Sequence, residues 1–225
     1  MTSIKNGDFF ELDYTGKSKD GKIFDTSIKE IGEKEHIHKH AYNPLIICVG
    51  ENQVIKGLDK RLVGCEAGKE YSFEIPMDES YGKKNPKLIR VVSKNIFVKQ
   101  KLNPYPGMQI TAEGMLGIVR SVTGGRVFVD FNHPLAGKDS IFEIKIKKIL
   151  EDIKEKVQSI ISSYLFLDPD RYSLEFSNND LKIITKFSVP DSLLNIVREK
   201  INKLIPEVKA IEFLVEKKEP KKKQS

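Results

Sequence analysis

The side chains of this sequence that could do chemistry are few. His36, His38 and His40 stand at alternate positions in "HIHKH", so in an extended chain all three face one way, as metal ligands require. The segment is polar, and no carboxylate or thiolate stands at an obvious ligating spacing, so no metal is expected there. His133, in "NHPLAG", reads as a residue making a local hydrogen bond. Cys48 and Cys65 each lie in an apolar-looking segment, and two buried thiols fit better than a disulfide. One further feature involves backbone more than side chain. "GENQVIKGLDKRL" (50–62) sets the β-branched pair Val54 and Ile55 at a turn, then places Gly57 where a helix should be forming.

The elements that must position these residues follow from pattern. "DFFELDYT" (8–15) alternates in the strand period, "KDG" supplies turn chemistry, and "KIFDTS" reads as an antiparallel partner. "LIICVG" (45–50) is an apolar strand. The segment after it predicts a helix of about three turns, entered through Val54 and Ile55 and stopped at Gly64 and Gly68. "KEYSFEIP" (69–76) alternates again. From 87 to 130 short β-like runs alternate with glycine turns, which predicts a small all-β unit of four or five strands. "SIFEIKIKKIL" (140–150) is a strictly alternating strand. Beyond it, Ile153, Val157, Ile160, Ile161, Tyr164 and Leu165 mark one helix face, and Leu193, Leu194, Val197, Ile201, Leu204 and Ile205 mark a second. A hairpin around "SNND" and a last strand, "KAIEFLVE", complete a β-α-β-β-α-β order if the strand at 140–150 is counted with it. Pattern alone leaves that strand's allegiance open.

Composition narrows the classes. The 225 residues are 39% hydrophobic, with twelve Phe and seven Tyr, which is enough for packed cores in two or three small units. There is no apolar run of about 18 residues, and "MTSIKNGDFF" lacks a signal layout, so a cytoplasmic protein without a membrane span is expected. The net charge of +6 comes from 38 basic and 32 acidic residues that mostly alternate in sign, the tail "KKEPKKKQS" aside, so nucleic acid is not the expected partner.

Three stretches carry a resemblance. "FFELDYTGKSKDGKIFDTS", "VGENQVIKGLDKRLVGCEAGKEYSFEIPMDESYG" and "NHPLAGKDSIFEIKIKKI", in that order over residues 4 to 150, resemble the FKBP-type peptidyl-prolyl cis-trans isomerases. The closest kind is the SlyD-like form, and the extra C-terminal unit is similar to that of long archaeal members. The separation of "SYG" from "NHPLAG" matches the place where SlyD-like proteins carry an insert-in-flap domain.

The resemblance implies an α+β fold. An FKBP antiparallel sheet wraps a short helix over residues 1–86 and 131–150. A small all-β insert-in-flap domain occupies 87–130, and a C-terminal split-βαβ-like unit with a basic tail occupies 151–225. It also implies an X-Pro isomerase that needs no cofactor. Carried over by position, Tyr14, Phe24, Leu45, Val54, Tyr81 and Phe142 would form pocket wall or rim, and Asp25 the carboxylate beside the reacting amide. Taken alone, Asp25 could equally be a turn or capping residue. The Ile55 N–H would anchor the substrate, and Leu135 would close one side. Leu58 falls where many members carry a tryptophan as the pocket floor, and this chain has no Trp.

In the insert, Ile96, Phe97, Met108, Met115 and Leu116 are candidates for an exposed patch that holds unfolded chains; each could instead belong to the insert's own core. The expected partners are unfolded or nascent polypeptides containing proline. Ile183, Phe187, Ile211 and Phe213, near an open sheet face, suit homodimerisation through the C-terminal unit. The alternative is a non-catalytic binding module, a holdase or RNA-associated protein, with a vestigial pocket.

Overall fold

The structure is a computed structural model that describes residues 3–39 and 41–216. The first part of the chain forms β1 (Phe9–Ser18), β2 (Ile23–Thr26), α1 (Lys29–Lys34), β3 (Leu45–Cys48), α2 (Lys56–Leu62) and β4 (Glu70–Ile75). The middle forms β5 (Ile89–Ser93), α3 (Lys94–Lys99), β6 (Gln109–Ala112), β7 (Met115–Thr123) and β8 (Arg126–Asp130). After it come β9 (Ser140–Ile149), α4 (Ile153–Leu165), β10 (Tyr172–Ser177), β11 (Asp180–Thr185), α5 (Asp191–Leu204) and β12 (Ala210–Val215).

Three sheets result. The first has the order β2-β1-β9-β4, with β3 also paired to β1. Strand β9 therefore belongs to the first sheet, antiparallel to both β1 and β4. The C-terminal sheet then has three strands, β10-β11-β12, with β12 parallel to β11. The expected β-α-β-β-α-β unit lacks its first strand, because β9 finds two partners in the first sheet and has no free edge to offer.

The middle segment forms a four-stranded sheet, β5-β8-β7-β6. It is not all β. The run "IRVVSKNIFV" breaks after Ser93, whose hydroxyl accepts from the Asn95 N–H at 3.3 Å and caps helix α3. The insert leaves and returns through a narrow neck. Phe131 N donates to Leu88 O at 2.9 Å, the Asn132 side chain accepts from Asn85 N at 2.7 Å, and Gly137 N donates to Gly82 O at 2.7 Å.

Alternation along β1 buries its start on two faces. Phe10 and Leu12 join the core under α2 with Ile47, Leu58, Leu62, Ile75 and Phe142. Phe9 turns the other way and joins Cys48 and Leu150 in a second core, built with Val157, Ile160 and Ile161 of α4, Val197 and Ile201 of α5, and Leu181 and Ile183 of β11. The C-terminal unit therefore shares its core with the back of the first sheet. Both cysteines are free and buried, and burial pushes the Cys48 thiol up to about 12.

The expected open face over Ile183, Ile211 and Phe213 is corrected here. Ile183 is fully buried, and Ile211 and Phe213 pack against the same core. The two helices cover that face, and only Phe187 of the four stays exposed. Among the described residues no helix is long and apolar enough to cross a membrane.

Helix α2 has seven residues, shorter than the three turns expected, with Ile55 as its N-cap. Gly57 lies in ordinary helical backbone, so conformational freedom is not its reason. A Cβ there would stand 2.4 Å from Ile75 Cγ2 and 3.1 Å from the Glu79 carbonyl oxygen. The glycine lets the first turn of α2 press against the end of β4. At an ordinary helical site Gly→Ala stabilises by roughly 0.5–1 kcal/mol. Here Gly57→Ala is expected to destabilise by about 1–3 kcal/mol in urea unfolding, since backbone as well as side chain must give way; a gain in stability would contradict the close approach.

Candidate active site

The site is built where β1, β2 and β9 run side by side. Gly16 lies opposite both Asp25 on β2 and Phe142 on β9. A Cβ at Gly16 would come within 2.7 Å of Phe24 Cε2 and 3.0 Å of Phe142 Cε1. The missing side chain lets these two rings meet edge to face at 5.8 Å. Tyr81, from the loop after β4, sits edge-on to Phe24 at 5.9 Å. Its other neighbour is the His133 imidazole, stacked at 4.5 Å and 3°. His133 Nδ1 also accepts from the Leu135 N–H at 3.2 Å, the local hydrogen bond its sequence context suggests. Burial, with smaller contributions from Asp25 and Tyr14, pushes the Tyr81 phenol up to about 12, so at neutral pH it is an O–H donor.

Asp25 faces this aromatic corner in an ionic cluster. Tyr14 Oη donates to Asp25 Oδ2 at 2.8 Å, and Lys39 Nζ lies 2.5 Å from Oδ1. The same ammonium donates to Tyr14 Oη at 3.2 Å and to the Thr26 carbonyl at 2.9 Å, and lies 5.4 Å from the centre of the Tyr14 ring. Burial works to lower the Lys39 ammonium, but its bonds to Asp25 and Tyr14 outweigh this and raise it. Tyr14 is also raised, chiefly by burial. The cluster fixes the carboxylate's orientation; the pair is half exposed, so its own contribution to stability is small.

A groove of about 600 Å³ opens over this corner, lined by Phe24, Asp25, Ile37, Tyr81, His133 and Leu135. That is room enough for a proline and its neighbours. Phe142 and Leu58 are buried beneath, and Tyr14, Leu45, Val54 and Ile55 are half-buried on the same apolar core. None of Tyr14, Leu45, Val54 and Ile55 lines the groove itself, and Leu45 pairs with Leu12 across β3 and β1. The Ile55 N–H precedes the first turn of α2 and has no hydrogen-bond partner among the described residues. A second groove of about 570 Å³ is lined by Tyr14, Ile28, Ile31, Tyr71 and Ile144 together with Asp13, Glu70, Glu143 and Lys145, and none of Phe24, Tyr81 and Phe142 lines it.

Sequence reasoning missed Lys39 and Gly16. Lys39 lies inside "HIHKH", between His38 and His40 in sequence. His36 and His38 are exposed, no metal-holding cluster occurs among the described residues, and His40 lies outside them. The basic tail from residue 217 also lies outside the described residues.

In the insert, the expected patch divides. Ile96 and Leu116 are 51% and 56% exposed, and Met108 and Met115 are half-buried. Phe97 is corrected: it is 4% exposed and plugs the insert's own core with Val119, Val127 and Val129. One face of α3 must cover the small sheet, and Phe97 supplies the bulk for that. Ile89, Val91 and Val98 are exposed and were not expected in the patch. A groove of about 380 Å³ runs between α3 and β6.

Comparisons with known proteins find likenesses over the first part of the chain and over the insert. A family model described as "FKBP-type peptidyl-prolyl cis-trans isomerase" matches residues 1–98, and one described as "FKBP26, IF domain" matches 90–135. A "Short-type peptidyl-prolyl cis-trans isomerase" of Methanocaldococcus jannaschii is 36% identical over 148 residues, 65% of this chain and 94% of that protein. An "FKBP-type 16 kDa peptidyl-prolyl cis-trans isomerase" of Escherichia coli is 32% identical over 111 residues, 47% of this chain and 74% of that one. The SlyD of Treponema pallidum, also named an FKBP-type isomerase, is 29% identical over 163 residues, 70% of this chain and 85% of that one.

Proposed function

The chain belongs to the FKBP-type peptidyl-prolyl cis-trans isomerase family, and we propose that it turns X-Pro bonds in folding chains at the corner of Phe24, Tyr81 and Phe142. The rotation breaks no covalent bond. Its barrier of about 18–20 kcal/mol is amide resonance, and the uncatalysed step takes tens of seconds or longer. As the amide twists, resonance is lost and the carbonyl oxygen gives up charge. A dry aromatic wall holds this less polar form better than the planar amide, which water solvates more strongly. The Ile55 N–H anchors a carbonyl of the substrate while the proline ring lies against Phe24, Tyr81 and Phe142. Asp25, held by Tyr14 and Lys39, presents an oriented carboxylate beside the amide. The observation that carries this reading is the aromatic corner closed around Gly16, with an unpaired backbone donor at the rim of the same core.

The insert supplies a second activity, loose capture of unfolded chains. Ile89, Val91, Ile96, Val98 and Leu116 are exposed on this small unit, beside the groove between α3 and β6. Capture raises the local concentration of prolines at the pocket. Homodimerisation through the C-terminal unit is supported by the outer edge of β12, unpaired among the described residues, where Leu214 and Val215 are exposed, and by Ile196 exposed on α5. Sedimentation is expected to find a dimer that Leu214→Glu weakens; a monomeric wild type would remove this part of the proposal.

Ile55 has φ −56°, close to the value of about −65° that proline imposes. Ile55→Pro is therefore expected to keep the backbone path while removing the donor, at a cost of about 1–2 kcal/mol for the half-buried side chain it trims. Its kcat/KM on a short proline peptide should fall about tenfold, the equivalent of one hydrogen bond of about 1.4 kcal/mol. Deleting 87–130 should spare the peptide rate and slow catalysis on a refolding protein. Unchanged kcat/KM in Ile55→Pro would sink the donor's role. Equal losses on peptide and protein substrates after the deletion would sink the division of labour, and a wild type inert towards peptides would leave only the binding-module reading.

A further inference from the structure

The loop that carries Val54 and Ile55 is gripped by the C-terminal unit. Glu51 points its carboxylate at α5: Oε2 lies 2.5 Å from Lys200 Nζ and Oε1 lies 2.7 Å from Lys203 Nζ. The Glu51 side chain is 6% exposed, so this is not an ordinary surface ion pair. Two residues on, Gln53 spans the same gap. Its Oε1 accepts from the Cys48 N–H at 2.6 Å, and its Nε2 donates to Ser163 Oγ of α4 at 2.9 Å. Ser159 of α4 adds a bond to the Ile46 carbonyl at 3.3 Å. From the other side Asp59, buried in α2, accepts from the Gly50 and Asn52 N–H groups at 3.1 and 3.4 Å. Residues 50–53 are thus bracketed between α2 and the helices α4 and α5, and Val54 and Ile55 follow directly.

We propose that Glu51 and Gln53, held by Lys200, Lys203 and Ser163, are positioning residues for the isomerase pocket, so that the C-terminal unit sets how well the pocket takes its substrate. The inference rests on the isomerase reading above. None of the five side chains lines the groove over the aromatic corner. They act through the chain: the direction in which the Ile55 N–H points is set by the path of residues 50–53. The bonds within the first sheet hold only one side of this loop. On the other side the partners come from α4 and α5, which the first sheet's own core under α2 does not require. Binding linkage makes the effect reciprocal, so substrate in the pocket tightens the docking of α5 on Glu51. The burial of Glu51 explains why two lysines are used. Burial alone would raise its carboxyl, but the two ammonium groups outweigh this and hold it below the usual carboxylate range, so the loop carries its charge into the contact.

The test is steady-state isomerisation of a short proline peptide by the full chain, as wild type, Glu51→Gln and the double variant Lys200→Met/Lys203→Met, read beside amide hydrogen exchange at Gly50 and Asn52, whose N–H groups are bonded to Asp59. If the ungripped loop is substrate-receptive in about a tenth of the molecules, KM rises about tenfold while kcat stays level. Exchange at Gly50 and Asn52 should accelerate in both variants, while amides of β9 keep the wild-type rate. The reversed pair, Glu51→Lys with Lys200→Glu and Lys203→Glu, should recover most of the KM. Unchanged KM and unchanged loop exchange in both variants would overturn the proposal, as would a fall in kcat with KM unmoved. Should the wild type prove inert, the isomerase reading fails, and exchange at Gly50 and Asn52 alone then decides whether the grip orders the loop.

Discussion

Everything in the molecule hangs on the antiparallel pairing of its first strand with its ninth. The register runs from Phe10 opposite Ile149 to Ser18 opposite Ser140, with one irregularity between Glu11 and Leu12. This ladder sets Gly16 opposite Phe142, and from there Phe142 reaches across β1, over Gly16, to the Phe24 ring on β2. A slip of one residue would turn every side chain of β9 to the other face and remove the aromatic corner outright. The same ladder makes the middle segment an insertion: β4 and β9 are neighbours, with Ile75 opposite Ser140, so the chain departs and returns at adjacent points. Closing so long an excursion costs little more than closing a short one, because the cost grows only with the logarithm of length.

The sheet built on that pairing serves two masters. One face holds α2 and the aromatic corner; the other holds α4 and α5 through Phe9, Cys48 and Leu150. A strand buried on both faces near its start cannot move for one partner without disturbing the other, since packed interiors resist continuous deformation. The loop after β3 lies at the seam between the two, which is why its residues divide their bonds between α2 and the C-terminal helices. The insert is different in kind. It touches the first sheet through a neck around Asn85 and Asn132, and its core of Phe97, Val119, Val127 and Val129 is its own. Such a neck separates the proposed capture of chains from the aromatic corner.

How much of this was legible in the sequence depended on the reach of the interaction. Strands β1, β4 and β9 announce themselves by alternation, and the buried faces of α4 and most of α5 by their spacing, because those patterns depend on the residue's own element. Which neighbour covers a face is not written in the same pattern. Ile183 alternates as an open-face residue would, yet two helices lie on it. Phe97 reads as surplus aromatic surface until α3 is seen to need a plug for a four-stranded sheet. Gly57 looks misplaced at a forming helix and is a contact, because the atoms it makes room for belong to Ile75 and Glu79, beyond the helix it opens. Lys39 could not be found from its surroundings at all; only the fold brings a lysine from a polar loop onto Tyr14 and Asp25. Of the positions taken from the resemblance, Phe24 meets Tyr81 and Phe142, and Tyr14 bonds Asp25, while Tyr14, Leu45, Val54 and Ile55 lie outside the groove.

The central claim is that the corner around Gly16 turns X-Pro bonds in a folding chain. It is tested most directly by following the slow refolding phase of a protein limited by proline isomerisation, with this chain present at a small fraction of the substrate's concentration. Repeated turnover predicts that the slow phase accelerates in proportion to the added chain while its amplitude stays the same. A slow phase unchanged in rate, or one whose amplitude falls only as the chain approaches equimolar amounts, would mean that the molecule holds proline-containing chains without turning them.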